Sequence, residues 1–116
     1  YLTKSGIKLS QIIIDPGFCF GKNLNHNLLL LNYLPLFHSL GAPILVGISR
    51  KTMINEISKA RFSNKFNLNF GPENRKGGSI SLELNAYNKG AQIIRTHDVF
   101  DIKQSIYCSE EVDINF

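Results

Sequence analysis

The stretch PILVGISRKTMI, residues 43–54, decides the fold, because a short apolar run ends in a polar turn and passes directly into a helical pattern. Two further runs, QIIID at 11–15 and AQIIRTHD at 91–98, are equally short and rich in isoleucine. Nearly continuous apolar residues are typical of strands that are covered on both faces of a parallel sheet. We therefore predict three parallel strands.

Helical patterns follow each run. Residues 26–40 carry apolar side chains at helical spacing, with Gly41 placed to end the helix and Pro35 expected to kink it. Further helices are predicted over 50–60, 78–90 and 98–112, the last with Asp98 as its N-cap. The order βαβαβα, with right-handed crossovers, predicts an α/β fold built on a parallel sheet.

Composition indicates one compact domain, since 43% of the 116 residues are apolar. The first residues carry no apolar leader, and the chain opens on Tyr1, so we expect a piece of a longer protein. Cys19 and Cys108 lie far apart and outside any C-x-x-C spacing, which argues against disulfides and zinc and favours a reducing, cytoplasmic setting.

The net charge of +4 comes largely from a basic region between Arg50 and Lys76. Such a region suits an anionic partner. Its Asn-rich part, near residues 59–77, has no periodicity and is predicted to be a solvated loop insertion rather than a nucleic-acid contact.

The first predicted strand ends at Asp15, in the segment IIIDPGFCFGKN. A carboxylate can accept two parallel hydrogen bonds from the N–H edge of a heterocycle, although it could instead cap the following turn. The Gly-Lys pair does not form a phosphate loop, because the spacing is one residue short and the hydroxyl residue is absent. Phe18 and Phe20 could flank a planar ligand or fill the core.

The second predicted strand ends at Ser49, Arg50 and Lys51, immediately before a helix. A hydroxyl, two cations and the first helical N–H groups suit a carboxylate or a carbonyl oxygen, although a solvated basic turn is the alternative.

The third predicted strand end places Arg95 and His97 two residues apart, so both should project to one side of the sheet and Thr96 to the other. Two donors next to a helix N-terminus predict a phosphate or diphosphate site. An ion pair between Arg95 and Asp98 is the alternative.

Together, IIIDPGFCFGKNLNHN, PILVGISRKTMI and GAQIIRTHDV resemble the C-terminal motifs of the dihydropteroate synthase family, over roughly residues 7–107. The resemblance implies the C-terminal three βα units of a (β/α)8 TIM barrel, incomplete as given. It also implies a transferase of folate biosynthesis, which joins 6-hydroxymethyl-7,8-dihydropterin diphosphate to 4-aminobenzoate and releases diphosphate.

By this resemblance, Asp15 holds the pterin ring and Lys51 contacts the pterin carbonyl. Arg95 packs on the pterin and meets the diphosphate, with His97 as its partner there. Lys51, Arg95 and His97 are the implied catalytic residues.

The aminobenzoate side is implied to be lined by Phe20 and Ser49, with Arg50 assigned more loosely. Cys19 stands where the family usually has a glycine. The family's Mg²⁺ ligand, an asparagine, belongs to an N-terminal half that this chain does not contain, so no metal ligand is expected here.

The implied partners are small molecules, with neither nucleic acid nor membrane, and a homodimer for the full-length enzyme. Two rival interpretations stay open. One is a non-catalytic remnant of a split gene, and the other is the pterin-binding module of a corrinoid methyltransferase.

Overall fold

The computed structural model describes residues 4–19, 21–62 and 68–114. Within these ranges the chain is mainly helical, with two short strands. The helices are α1 (Leu24–Asn32), α2 (Thr52–Arg61), α3 (Lys76–Asn88) and α4 (Val99–Ile114), the strands are β1 (Leu45–Val46) and β2 (Ile93–Ile94), and 3-10 helices cover Leu9–Gln11, Leu34–Leu40 and Pro72–Asn74.

The sheet is parallel, as the sequence predicts. β1 pairs with β2 through Leu45 opposite Ile93 and Val46 opposite Ile94. The first predicted strand is reduced to one parallel bridge, between Ile14 and Ile44. The bridge cannot extend, because residues 9–11 form a 3-10 helix and the residue after Asp15 is a proline without an N–H. The α/β class is confirmed, while the number of βα units and the barrel remain predictions.

The helix predicted over 26–40 is divided in two. α1 ends at Asn32, and a 3-10 helix with Pro35 in its first turn follows, so the chain changes helix type where only a kink was predicted. Gly41 ends this segment as predicted, with φ of 75° and its N–H bonded to the His38 carbonyl. A left-handed backbone of this kind favours glycine.

The predicted basic loop near 59–77 is shorter at both ends than expected. α2 continues to Arg61, and α3 begins at Lys76. Residues 63–67 lie outside the described part of the chain, whereas Pro72–Asn74 form a 3-10 turn.

The core joins the strands to α1, α2 and α3. Ile44, Val46 and Ile48 are fully buried, and they pack with Leu31 of α1 and Met53 of α2. The other face of the strands is less covered than predicted, because Leu45 is only half-buried and Ile93 is exposed. Alternate residues along the strands therefore point to a buried face and to a more exposed face of the sheet.

Phe18 is also part of this core, with 1% of its surface exposed. Of the two roles considered for this side chain, the structure shows core filling. Across the described ranges, no helix combines the length and apolarity needed to cross a membrane.

Candidate active site

A polar cleft lies where the chain leaves β1 and β2 at their carboxyl ends. It has a volume of about 190 Å³ and is lined by Gly47, Ser49, Lys51, Arg95, Thr96 and His97. Four of the residues predicted from two separate motifs therefore meet at one place. Ligands of parallel α/β sheets bind at this end of the strands.

Asp15 reaches the same region from the bridge segment. Its Oδ2 lies 3.7 Å from Nη1 of Arg95, in an ion pair whose side chains are 38% and 57% exposed. Gly47 lies next to the Arg95 side chain. A Cβ atom added at position 47 would be 2.5 Å from Nη2 of Arg95. The missing side chain at position 47 thus leaves room for the guanidinium between the strand ends.

Asp15 has the turn-capping role that was one of its two alternatives, while its role in binding a heterocycle stays a prediction. Its Oδ1 accepts a hydrogen bond from the Gly17 N–H at 2.9 Å, which caps the turn, while Oδ2 faces Arg95. Lys51 stabilises the same turn, since its Nζ donates to the Phe18 carbonyl at 3.0 Å. The ammonium of Lys51 is thereby held between the cleft and the 15–19 turn.

Asn27 of α1 holds the end of this turn, and sequence reasoning missed it. The residue is 2% exposed, and its Oδ1 accepts from the Cys19 N–H at 2.8 Å. Its Nδ2 lies 3.7 Å from the Cys19 Sγ. Cys19 has a φ of 68°, so it occupies the left-handed region that favours glycine. Phe20, assigned to the aminobenzoate side, lies outside the described residues.

Ser49 and His97 are joined by two close contacts in the cleft. The Ser49 Oγ accepts from the His97 N–H at 3.1 Å and lies 2.8 Å from His97 Nδ1. Thr96 was predicted to point away from the cleft, but it lines the cleft, with Oγ1 3.5 Å from the Ser49 Oγ. The alternation does not apply here because β2 ends at Ile94.

Arg50 forms an ion pair with Asp98. The sequence analysis had named Arg95 as the alternative partner of Asp98. Nη2 and Nε of Arg50 donate to the two Asp98 oxygens at 2.8 and 3.3 Å. The hydrogen bond from Arg50 holds the pKa of Asp98 below its ordinary value, and the same bond raises the pKa of Arg50. Asp98 precedes α4 as predicted, and its carbonyl accepts from the Ile102 N–H.

The backbone at Arg50 has a φ of 55°, which is unusual for a residue with a side chain. Two bonds hold it there. The Arg50 N–H donates to the Ser79 Oγ at 2.7 Å, and the Arg50 carbonyl accepts from Arg75 Nη1 at 2.9 Å. Residues of α3 and of the segment before it therefore fix the turn that carries Ser49 and Lys51.

Glu83 of α3 is a second residue that sequence reasoning missed. It is fully buried, and neither carboxyl oxygen has a hydrogen-bond partner among the described residues. Burial raises the pKa of this carboxyl, while the Thr96 hydroxyl lowers it and the negative charge of Asp98 raises it further. Burial is the largest of these effects.

The described residues do not fit a Mg²⁺ site. Among them, no group of three or more His, Cys, Asp or Glu side chains is placed to hold a metal ion. The cleft is lined by Lys51 and Arg95, whereas Mg²⁺ prefers carboxylate and water oxygens. The implied Mg²⁺ stays a prediction about other residues.

A larger groove of about 690 Å³ lies along α1 and the following 3-10 helix. Its lining is mainly apolar, with Leu29, Tyr33 and Phe37 among the contributors. The smaller cleft at the strand ends is the better candidate for polar substrates, because the hydrogen-bonding groups converge there.

The comparisons with known proteins agree with this arrangement. The sequence profile of the pterin binding enzyme family matches residues 1–97, and the chain therefore belongs to this family. The similar curated proteins are dihydropteroate synthases. The one from Escherichia coli K12 is 45% identical over 96 residues, which are 83% of this chain and 30% of that protein. The one from Neisseria meningitidis serogroup C is 38% identical over 112 residues, covering 96% of this chain and 36% of that protein.

Solved structures show the same similarity. The dihydropteroate synthase of Xanthomonas albilineans in complex with 7,8-dihydropteroate superposes with a TM-score of 0.81 at 36% identity, over 96% of this chain and 39% of that one. The resemblance inferred from the three motifs is thus confirmed. The chain spans about a third of the length of the curated relatives it matches, from 30% to 36% for the two named.

Proposed function

We propose that this chain supplies the strand-end residues of a dihydropteroate synthase site. The reaction condenses 6-hydroxymethyl-7,8-dihydropterin diphosphate with 4-aminobenzoate to give 7,8-dihydropteroate and diphosphate. The observation that carries the proposal is the convergence of Lys51, Arg95 and His97 on one cleft, with Asp15 from a third motif paired to Arg95.

Asp15 and Lys51 are proposed to bind the pterin. The Oδ2 of Asp15 faces the site rather than the turn, so it is available to accept from the N–H edge of the ring. The cation of Lys51 lines the cleft and suits the pterin carbonyl. A ligand N–H edge would replace the long 3.7 Å contact between Asp15 and Arg95.

Arg95 and His97 are proposed to bind the diphosphate. In the reaction, the bond between the pterin methylene carbon and the diphosphate oxygen breaks. The nitrogen of 4-aminobenzoate then bonds to that carbon and loses a proton. Negative charge grows on the departing diphosphate, and donors aimed at it lower the barrier. Arg95 and His97 line the cleft where these donors are needed.

Phe20, Ser49 and Arg50 are proposed to serve the aminobenzoate side. Ser49 is only 7% exposed, and its hydroxyl already contacts His97. Its contribution therefore includes orienting that imidazole. Arg50 uses Nε and Nη2 for Asp98.

The setting proposed for this reaction is the cytoplasm, where the free thiols of Cys19 and Cys108 would stay reduced. Small molecules are the proposed partners, and Mg²⁺, held by other residues, is the proposed cofactor. Assembly as a homodimer is part of the same proposal.

The test is a chimera in which this chain replaces the matching segment of the Escherichia coli synthase, 45% identical over 96 residues. We expect turnover of the pterin diphosphate with 4-aminobenzoate, lost when Arg95 and His97 are both changed to alanine. A folded chimera without turnover, or with turnover that survives the double change, would contradict the proposal. Transfer of a methyl group from a methylated pterin to a corrinoid would support the methyltransferase interpretation instead.

A further inference from the structure

A single peptide group links α1 to the candidate site. The peptide that joins Phe18 to Cys19 donates its N–H to Oδ1 of Asn27 at 2.8 Å. Its carbonyl accepts from Nζ of Lys51 at 3.0 Å. The N–H and C=O of a planar trans peptide point in opposite directions, so Asn27 and Lys51 are bonded to its two ends. The orientation that Asn27 fixes at one end is therefore also the orientation that Lys51 meets at the other.

Asn27 occupies a position where the helix itself does not require an amide. The N-cap of α1 is Asn23, whose side chain already accepts from the His26 N–H. Asn27 and Leu31 are the buried residues of α1, four apart on one face. A leucine at position 27 would continue this apolar face, whereas a buried amide is tolerated when its polar groups are bonded.

The orientation of the Asn27 amide is determined by its surroundings. The Cys19 N–H needs an acceptor, which the amide offers only at Oδ1. Nδ2 then points to the Cys19 Sγ at 3.7 Å, where the sulfur is a weak acceptor. Both ends of the amide thus contact one residue, and at 2% exposure bulk water does not compete for them.

The bond from Asn27 also holds a turn of unusual backbone conformation. Cys19 has a φ of 68°, which residues with a side chain rarely adopt. Phe18, at 1% exposure, anchors the turn in the core, and Nζ of Lys22 donates to the Gly17 carbonyl at 2.9 Å. The turn is therefore fixed on both sides of the peptide, and Asn27 fixes the rotation of the peptide itself.

We propose that Asn27 is a positioning residue that orients this peptide so that the Phe18 carbonyl holds the Lys51 ammonium at the cleft. A peptide whose N–H is bonded is polarised, which makes its carbonyl a stronger acceptor for a cation. Lys51 lines the cleft, so the contact decides where one of its positive charges lies. The placement of Lys51 follows from these contacts, while its use in binding the pterin carbonyl rests on the proposed function.

Loss of the Asn27 acceptor has a defined consequence. A buried N–H without an acceptor is costly, so the peptide should rotate to bring the Cys19 N–H towards solvent. The same rotation turns the Phe18 carbonyl away from Nζ of Lys51. The ammonium is then displaced without any change in Lys51 itself.

The first experiment is acetylation of the lysines of the full chain with acetic anhydride, followed by peptide mass spectrometry, because it needs no substrate. Half-buried Lys51 should react more slowly than Lys103, an exposed lysine of α4 that serves as the reference within each sample. In Asn27→Leu the ratio of the Lys51 rate to the Lys103 rate should rise about threefold or more, as expected for one lost hydrogen bond.

Two further variants separate the acceptor from other effects of the substitution. Asn27→Asp keeps an acceptor in the same place and should retain the wild-type ratio of rates. Asn25→Leu changes an exposed asparagine of the same helix and is the matched control, again with the wild-type ratio. Amide spectra verify that each variant is folded. If Asn27→Leu unfolds the chain, the wild-type ratio and Asn27→Ser, whose side chain is too short to reach Cys19, decide the question.

The second experiment is calorimetry on the chimera, with hydroxymethyl pterin and inorganic diphosphate as separate ligands. Asn27→Leu should weaken pterin binding about 10-fold and leave diphosphate binding unchanged, because the diphosphate is assigned to Arg95 and His97. In a Lys51→Met background, Asn27→Leu should cause no further loss of pterin affinity, since a residue that acts through Lys51 has nothing left to act on. A general loosening of the site would weaken both ligands and would add to the loss caused by Lys51→Met.

Three results would overturn the inference. They are equal acetylation rates of Lys51 and Lys103 in the wild type, an unchanged ratio in the folded leucine or serine variant, and a full additional loss of pterin affinity in the Lys51→Met background. The expected acetylation rates without pterin binding by the wild-type chimera would contradict the proposed function and leave the role of Asn27 in placing Lys51 supported.

Discussion

Nη1 of Arg95 lies 3.7 Å from Oδ2 of Asp15, although the two residues follow the outer members of a three-segment parallel arrangement. The middle segment continues into Gly47, which has no side chain to separate them. A cation and a carboxylate from distant parts of the sequence thus lie side by side at the cleft. We therefore expect a ligand bound above Gly47 to lie close to both side chains.

Gly47→Ala should displace Arg95 without unfolding the protein. The new Cβ would lie 2.5 Å from Nη2 and 3.0 Å from Cζ, but these atoms end a flexible, exposed side chain that can move. We expect the chimera to bind inorganic diphosphate about 10-fold more weakly, equivalent to one lost charge-assisted hydrogen bond. Calorimetry measures the affinity, and thermal melting should shift little.

Gly77→Ala is the matched control for that change. A Cβ at Gly77 would meet nothing within 4 Å, so diphosphate affinity should stay at the wild-type value. Equal loss of affinity in the two variants would contradict the role given to Gly47.

Asp15→Asn should weaken pterin binding by at least about 100-fold, because a charge-assisted pair is lost and an amide donor faces the ring's donors. Stability should hardly change, since the amide oxygen can still accept from Gly17 and an exposed ion pair contributes only about 0–1 kcal/mol. Calorimetry on the chimera gives the affinity. Unchanged pterin affinity would leave Asp15 with its turn-capping role alone.

Arg95→Ala should weaken binding of the pterin diphosphate more than binding of the free hydroxymethyl pterin, because the guanidinium is assigned to both groups and its positive charge pairs with the diphosphate anion. The two affinities are compared by calorimetry on the chimera. Arg61→Ala, at the exposed end of α2, is the control. Equal losses for both ligands would remove Arg95 from the diphosphate site.

Asp98→Asn should destabilise the chain at neutral pH, with an effect that fades in acid. The Arg50 bond lowers the pKa of Asp98, so its stabilisation is complete above the unfolded value of about 3.9 and is lost as pH falls through the lower folded value. Thermal melting from pH 7 to pH 2 should show the two curves converging below about pH 4. Asp113→Asn, at an exposed position of α4, should follow the wild type throughout.

Cys19→Gly should be better tolerated than Cys19→Ala. A residue with a side chain in the left-handed region costs about 1–2 kcal/mol, and Cys19 has a φ of 68°. Glycine removes that cost while losing about 0.5–1 kcal/mol of conformational entropy, whereas alanine loses the thiol contacts and keeps the strain. Urea unfolding of the two variants measures the difference. Greater stability of the alanine variant would contradict this account.

Local patterns predicted the parallel pairing, the four helical regions and the cleft residues Ser49, Lys51, Arg95 and His97. These features were predictable because apolar periodicity and the ends of strands are visible within a few consecutive residues. The partner of Asp98 could not be predicted in this way. Arg95 is its sequence neighbour, but the left-handed turn at Arg50 and the bond to Ser79 aim the other guanidinium at it.

Glu83 shows a second limit. A glutamate within GSISLELNAYNKG resembles a solvated helix position, and α3 has little amphipathic asymmetry to show otherwise. Its burial follows from packing against the turns after both strands, which no local pattern contains. Ser79, Glu83 and Ala86 are all buried, and their spacing places them on one face of the helix. This spacing was the sequence signal that could have indicated the burial of Glu83.

The parallel pairing also affects the rate at which the chain folds. Ile14 meets Ile44 and Leu45 meets Ile93, so each sheet contact closes a loop that contains at least one helix. Loop-closure entropy must be overcome before such non-local contacts give any stabilisation, which slows folding relative to purely helical proteins. We therefore expect helices to form early and the cleft, whose lining residues follow two different strands, to form later.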